Sequence, residues 1–158
     1  YFDEQCEYVL GKSYLKEHQS IYDVYGTRWF DINNFERNED LKLIVSGDSA
    51  WSPPCEYVRL ITEHYKIEAT IEYEEMGNDF GGRETYDNGQ TIHTESMTYR
   101  EWAYKEDSDS AVNSLMEDIF DDPDLYEVLD DLMEDISHMS DEDKELIIEH
   151  WKDVQSNS

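Results

Sequence analysis

The sequence predicts an α+β protein, a small antiparallel core followed by an acidic helical C-terminal segment. Three observations carry that prediction. Lys66 to Glu74 alternates apolar and polar side chains at the period of a strand. Val58, Ile61 and Tyr65 recur at helical spacing just after the β-branched run Leu41-Lys42-Leu43-Ile44-Val45. Beyond Tyr104 the composition turns strongly acidic while apolar residues keep a helical period.

Taken in order, residues 1–25 are polar and aromatic, and Leu15 to Tyr22 is expected to form a short helix that Gly26 ends. Arg28 to Ile32 reads as a strand, Asn33-Asn34 and Asn38-Glu39-Asp40 frame a turn region, and a second strand follows at 41–46. Gly47 and Asp48 are expected to end or bulge that strand. Ser52 is expected to cap the next helix with Pro53 in its first turn. Trp51 then stands at a strand-to-helix corner. Large aromatics usually serve packing, so Trp51, Ile44, Val58, Ile61, Ile67 and Ile71 are expected in one core. On that expectation Trp51→Ala costs roughly 3–5 kcal/mol.

In the one-side-buried strand 66–74, Ile67, Ala69, Ile71 and Tyr73 share a face. Gly77 to Gly82 is expected as a loop. Arg83 to Tyr86 and Gln90 to Thr94 then pair across Asp87-Asn88-Gly89, where Asn88-Gly89 suits a type I′ turn.

Several of these segments resemble a known family. Tyr25-Gly26-Thr27-Arg28-Trp29, then Asp48-Ser49-Ala50-Trp51-Ser52-Pro53-Pro54, then Tyr73-Glu74-Glu75 with Asp79-Phe80-Gly81-Gly82 are similar to motifs of the YubB-type ferredoxin-like family of phages and conjugative plasmids. The resemblance spans about residues 22–90. It implies a ferredoxin-like antiparallel sheet with helices on one face, and it carries over no catalytic residue. The first strand and helix of such a fold have no clear counterpart before Tyr22.

Charge bounds the function. The chain holds 40 acidic and 12 basic residues in 158, a formal net −28. Such a surface opposes direct binding to nucleic acid or an anionic membrane and favours a basic partner. No apolar run approaches the ~20 residues of a membrane span. The opening Tyr1-Phe2-Asp3-Glu4 has no signal-peptide pattern and lacks a starting Met, as expected of a trimmed chain. Cys6 and Cys55 form neither a zinc motif nor a disulfide framework, and two free thiols suit a bacterial cytoplasm.

No motif points to catalysis, a cofactor or a metal. Gly77 to Gly82 lacks the Lys-Ser/Thr of a phosphate loop, and no EF-hand or His-Glu-x-x-His spacing occurs. Pairs such as Glu74 and Asp79 say little in so acidic a chain. His138 and His150 are expected near helix C-termini, where a cationic ring is favourable.

From Glu106 to Asp153 there are 19 acidic and 2 basic residues, which is −17 of the −28. The division is therefore expected between a core, 1–104, and an acidic helical subdomain, 105–158. Val112, Leu115, Met116, Ile119 and Phe120 form one apolar stripe. Leu125, Leu129, Leu132, Met133 and Ile136 form a second, begun by Asp122-Pro123 as cap and first helical residue. A third helix opens at Ser140, with Ile147, Trp151 and Val154 inward. The opposite faces carry Glu117-Asp118, Asp121-Asp122, Asp130-Asp131 and Glu134-Asp135, doublets repeating every four residues. Like charges at that spacing destabilise a helix, and a solvated face ordinarily mixes signs.

These eight acids are the candidate partner-binding residues. The expected function is a phage- or plasmid-encoded protein that mimics DNA or RNA. It would occlude the basic nucleic-acid-binding surface of a host nuclease or other defence component. The competing expectation is a small-ligand-binding or enzymatic ferredoxin-like domain whose acids only solubilise it. If the interface were apolar instead, it would be sought among Tyr1, Phe2, Tyr8 and Tyr14.

Overall fold

The computed structural model describes residues 2–37, 39–40 and 42–157. Seven helices and five strands are present among them: α1 (Phe2–Leu10), α2 (Ile21–Tyr25), β1 (Phe30–Arg37), β2 (Leu43–Ser49), α3 (Cys55–Tyr65), β3 (Glu68–Glu75), β4 (Phe80–Asp87), β5 (Gln90–Met97), α4 (Tyr99–Glu106), α5 (Ser108–Asp121), α6 (Leu129–Asp135) and α7 (Asp141–Asn157). β1 and β2 form an antiparallel pair, and β3, β4 and β5 form a second sheet in that order. Connections as short as the two residues between β4 and β5 impose antiparallel pairing there as well. The chain divides into two compact units. One comprises the residues up to Asn78 with Gly82–Ser96, and the other Asp79–Gly81 with the residues from Met97 onward.

The first unit is built around a helical core that the sequence pattern did not announce. Phe2, Cys6 and Leu10 recur every four residues on α1 and are buried with Tyr25, Tyr57 and Leu60. The rings of Phe2, Tyr25 and Tyr57 meet edge-on, with centroids 5.7–6.1 Å apart, the arrangement the aromatic quadrupole favours. The Tyr25 hydroxyl donates to Asp3 Oδ1 at 2.7 Å and accepts from the Tyr14 N–H. Burial pushes the Cys6 thiol up to about 12, so it stays protonated as a packing group. The helix expected at Leu15 to Tyr22 begins only at Ile21. Ser20 caps it and forms a reciprocal capping box with Asp23. Of the apolar interface candidates, Phe2 is 5% exposed and Tyr14 packs against the core, while Tyr8 is 90% exposed. Tyr1 lies outside the described residues, as do Asn38 of the expected turn and Leu41 of the expected strand.

β1 is longer than expected and absorbs Asn33-Asn34. The expected β2 shifts to Leu43–Ser49, so Gly47 and Asp48 lie inside the ladder and the irregularity sits on β1 instead. Ile32 pairs with Gly47 and Asn34 with Ser46, which leaves Asn33 as a bulge. Its consequence is geometric: Phe30, Ile32 and Phe35 all join Leu43 and Val45 on one face, although Ile32 and Phe35 are three residues apart. Both strands are exposed along almost their whole length, so Ile44 is not a core residue.

The corner after β2 also departs from expectation. Ser52 does not cap the helix; its hydroxyl donates to the Gly26 carbonyl, and α3 starts at Cys55 with Pro54 at the N-cap. Pro53 disfavours helical backbone at Ser52, which lengthens the corner. Trp51 is 76% exposed rather than buried. Ile67 is exposed, while Val58, Ile61 and Ile71 are half-buried. The buried face of α3 is Tyr57, Leu60 and Thr62. Trp51→Ala is therefore expected to change unfolding free energy by no more than about 0.5 kcal/mol. Chemical denaturation followed by circular dichroism checks this.

The β3–β5 sheet matches the sequence pattern closely. β3 alternates exposed and half-buried along its length. Asn88 (φ 50°) and Gly89 (φ 81°) both take positive φ, as a type I′ turn requires. Thr62 of α3 anchors this turn by accepting the Gly89 N–H at 3.0 Å, and Arg59 donates to the Gly89 carbonyl. Gly81 and Gly82 belong to β4, not to a loop. A Cβ on Gly81 would lie 2.5 Å from the Trp102 side chain, and one on Gly82 would clash with the Glu95 carbonyl oxygen. Among the described residues no helix is long and apolar enough to cross a membrane.

Candidate partner-binding surface

The acidic segment folds because each helix has an inward stripe. Asp107 caps α5 by accepting the Ser110 N–H at 3.0 Å. Val112, Leu115 and Ile119 then turn into a core shared with Tyr126, Leu132, Ile136, Met139 and Ile147, with Met116, Leu129, Trp151 and Val154 packed against it. Phe120, Leu125 and Met133, expected inward, are exposed. Pro123 does not begin a helix. Asp122 closes α5, and its carboxylate accepts the Asp124 N–H in a turn. The following segment buries Tyr126, whose carbonyl accepts from Trp151 Nε1 at 3.2 Å. α6 therefore starts only at Leu129.

α7 is held at its start by a small polar knot. Tyr104 donates to Asp143 Oδ2 at 2.6 Å and accepts the Ser140 N–H, while the Ser140 hydroxyl donates to the same carboxylate. These bonds, Tyr104's first, lower the Asp143 pKa. His138 follows α6, with its ring edge-on to Tyr104. His150 is not at a helix C-terminus. It lies within α7 and bonds through Nε2 to the Met116 carbonyl of α5 at 3.0 Å.

The structure assigns the eight candidate acids to two different jobs. Asp118 and Asp135 converge on one guanidinium: Arg100 Nη2 lies 3.5 Å from Asp118 Oδ2, and Arg100 Nε lies 3.1 Å from Asp135 Oδ2. Arg100 thereby ties α4 to α5 and α6. Asp135 is further occupied by the Tyr126 hydroxyl, which donates to it. Burial and that carboxylate keep the phenol protonated. The other six, Glu117, Asp121, Asp122, Asp130, Asp131 and Glu134, are exposed, and among the described residues none of them has an ion-pair partner. The acidic rows of α5 and α6 thus meet at Arg100, and beyond it they present carboxylates to solvent.

Arg100 is a site residue that sequence reading missed, because the two acids it joins are 18 and 35 positions away. Arg100→Met removes the cation and leaves Asp118 and half-buried Asp135 facing each other. It is expected to destabilise the second unit by about 1–2 kcal/mol, discounted for partial exposure. Thermal unfolding of Arg100→Met against Arg100→Lys checks this, with lysine recovering only part of the loss.

Among the described residues no group of three or more His, Cys, Asp or Glu side chains is arranged to hold a metal ion. Asp79, weighed as a catalytic acid, accepts the Tyr99 N–H at the start of α4. Cys55 lies beside Tyr86 and Glu84, and burial with the Glu84 charge pushes its thiol up to about 12, the reverse of an activated nucleophile.

Antiparallel sheets with helices and a separate helical unit define an α+β protein of the ferredoxin-like class. More particularly, the family model described as "Ferredoxin-like domain in Api92-like protein" matches residues 34–115, just over half of the chain, and the chain belongs to that family. No curated protein and no solved structure matches it.

Proposed function

We propose that this protein is an interaction protein of the YubB type, encoded by a phage or conjugative plasmid. In this reading it acts in the host cytoplasm as a nucleic-acid mimic, covering the basic nucleic-acid-binding surface of a host defence protein. It needs no catalytic group, cofactor or direct nucleic-acid contact. One observation carries the reading: six exposed carboxylates, Glu117, Asp121, Asp122, Asp130, Asp131 and Glu134, stand on or beside two ordered helices without an ion-pair partner among the described residues. Arg100, the cation that pairs with acids of these helices, is already committed to Asp118 and Asp135. Ordered carboxylates at helical spacing offer a basic groove the regular negative charge it meets on a phosphate backbone. The motifs around Trp29 and Trp51 support the mobile-element origin.

The test is capture from bacterial lysate on the immobilised chain. A partner retained at about 50 mM salt is expected to be released at about 0.5 M, since screening weakens exposed charge contacts. Added duplex DNA or structured RNA is expected to displace it. Retention insensitive to both would refute the mimic reading and point to an apolar interface.

A further inference from the structure

We infer a second binding site, for a nucleoside monophosphate, in the groove beside Trp51. It is independent of the acidic surface. The groove has a volume of about 640 Å³ and is lined by Ser20, Ile21, Tyr22, Arg28, Ala50 and Trp51. That is within the ~300–1,000 Å³ of small-molecule sites and leaves room for a base, a sugar and one phosphate.

The backbone there is built to present Trp51. Its φ is 62°, and the Ser52 N–H donates back to the Ala50 carbonyl at 2.8 Å, closing the positive-φ form of the γ-turn. That turn is rare and strained for a bulky residue. It persists because its surroundings over-determine it. The buried Thr27 hydroxyl lies 3.1 Å from the carbonyls of both Trp29 and Ala50. The Ser49 hydroxyl donates to the Ser52 carbonyl, and the Ser52 hydroxyl to that of Gly26. Strain held this way marks a functional position more often than a packing one, and Trp51 is not packed. An exposed indole is a sequence-tolerant platform for a planar base.

The charge in the groove points to the same kind of ligand. Acids outnumber bases 40 to 12, and Arg59, Arg83 and Arg100 each hold a carboxylate. Arg28 is paired to no carboxylate among the described residues. A guanidinium free of carboxylates and an indole that line one groove, with Ser20 lining it too, complement a phosphate joined to a ring. The net −28 repels polyanions, which sets the occupant at one phosphate rather than a strand.

The experiment follows the Trp51 indole N–H by NMR in the full chain, its resonance assigned from its loss in Trp51→Gly. Glycine adopts a positive φ freely, so that variant removes the ring and relieves the turn. AMP is expected to shift the Trp51 signal saturably, adenosine at least tenfold more weakly. Arg28→Gln is expected to weaken AMP at least tenfold and leave adenosine unchanged. Trp51→Phe, which keeps a stacking ring, is expected to bind AMP within a few-fold of wild type by calorimetry. No shift up to about 10 mM AMP, a limit near −2.7 kcal/mol, would overturn the site. Unchanged AMP binding by Arg28→Gln, or equal binding of indole-3-acetate, would overturn the phosphate assignment. A single-stranded oligonucleotide binding more tightly than AMP would overturn the single-phosphate occupant.

Discussion

Leu115→Ala is expected to lower the unfolding free energy of the second unit by about 3–4 kcal/mol, the largest single-residue effect on stability anticipated here. Leu115 is fully buried at the centre of α5, among Ile119, Leu132, Ile136 and Ile147, which are themselves 0–1% exposed. Truncation removes three carbons from a site whose walls come from three other segments, so the cavity cannot close by moving one side chain. The cost combines lost transfer energy with the residual void. The unit carries most of the −28 and so starts with self-repulsion against it. Phe120→Ala on the same helix is the control. That ring is 68% exposed, so its loss is expected to cost less than about 1 kcal/mol. Guanidinium unfolding is the suitable measurement, because its ions also screen charge. Equal effects from the two substitutions would mean that α5 presents its other face to the core.

Neutralising the six free carboxylates together is expected to weaken partner binding more than 100-fold. Exposed pairs are individually worth ~0.2–1 kcal/mol, so six sum to about 3 kcal/mol, roughly two orders of magnitude in affinity. Any one change is expected to cost less than about fivefold. The set is Glu117→Gln, Asp121→Asn, Asp122→Asn, Asp130→Asn, Asp131→Asn and Glu134→Gln. Asn at 122 keeps an oxygen for the Asp124 N–H. Relieving the Glu117–Asp121 and Asp130–Glu134 repulsions is expected to raise stability by a few tenths of a kcal/mol each. Asp118→Asn and Asp135→Asn are expected to behave oppositely, losing stability through Arg100 before they lose binding. A well-folded sextuple variant that binds undiminished would remove the acidic surface from the function.

How much of this was legible in the sequence depends on the range of the interaction responsible. The Val112, Leu115 and Ile119 stripe, the alternation of β3 and the Asn88-Gly89 turn rest on local periodicity or local φ preference, and they appear where expected. α1 was illegible because Phe2, Cys6 and Leu10 stand among three acids, Gln5, Tyr8 and Val9, and only the packing of Tyr25 and Tyr57 against them gives the pattern meaning. Trp51 misled because its size argues for burial, whereas the hydrogen bonds of Thr27 and Ser52, made to residues more than twenty positions away, turn it outward. The partition of the acids into two tied and six free needs Arg100, and nothing local to the doublets names it.

The bulge at Asn33 gives the β1–β2 hairpin one residue to spare. Apolar Phe30, Ile32, Phe35, Leu43 and Val45 share one side, while Asp31, Glu36 and Asp48 share the other with Ile44. Removing Asn33 would leave Ile32, Asn34 and Phe35 consecutive, opposite Gly47, Ser46 and Val45 in an unbroken ladder. Every side chain would keep its face, because a bulge sets two residues against one. A one-residue gap at that point is therefore expected to straighten the strand without inverting it. A gap of two leaves no such slack, so that either β2 bulges in turn or one end of β1 slips by a residue and changes sides.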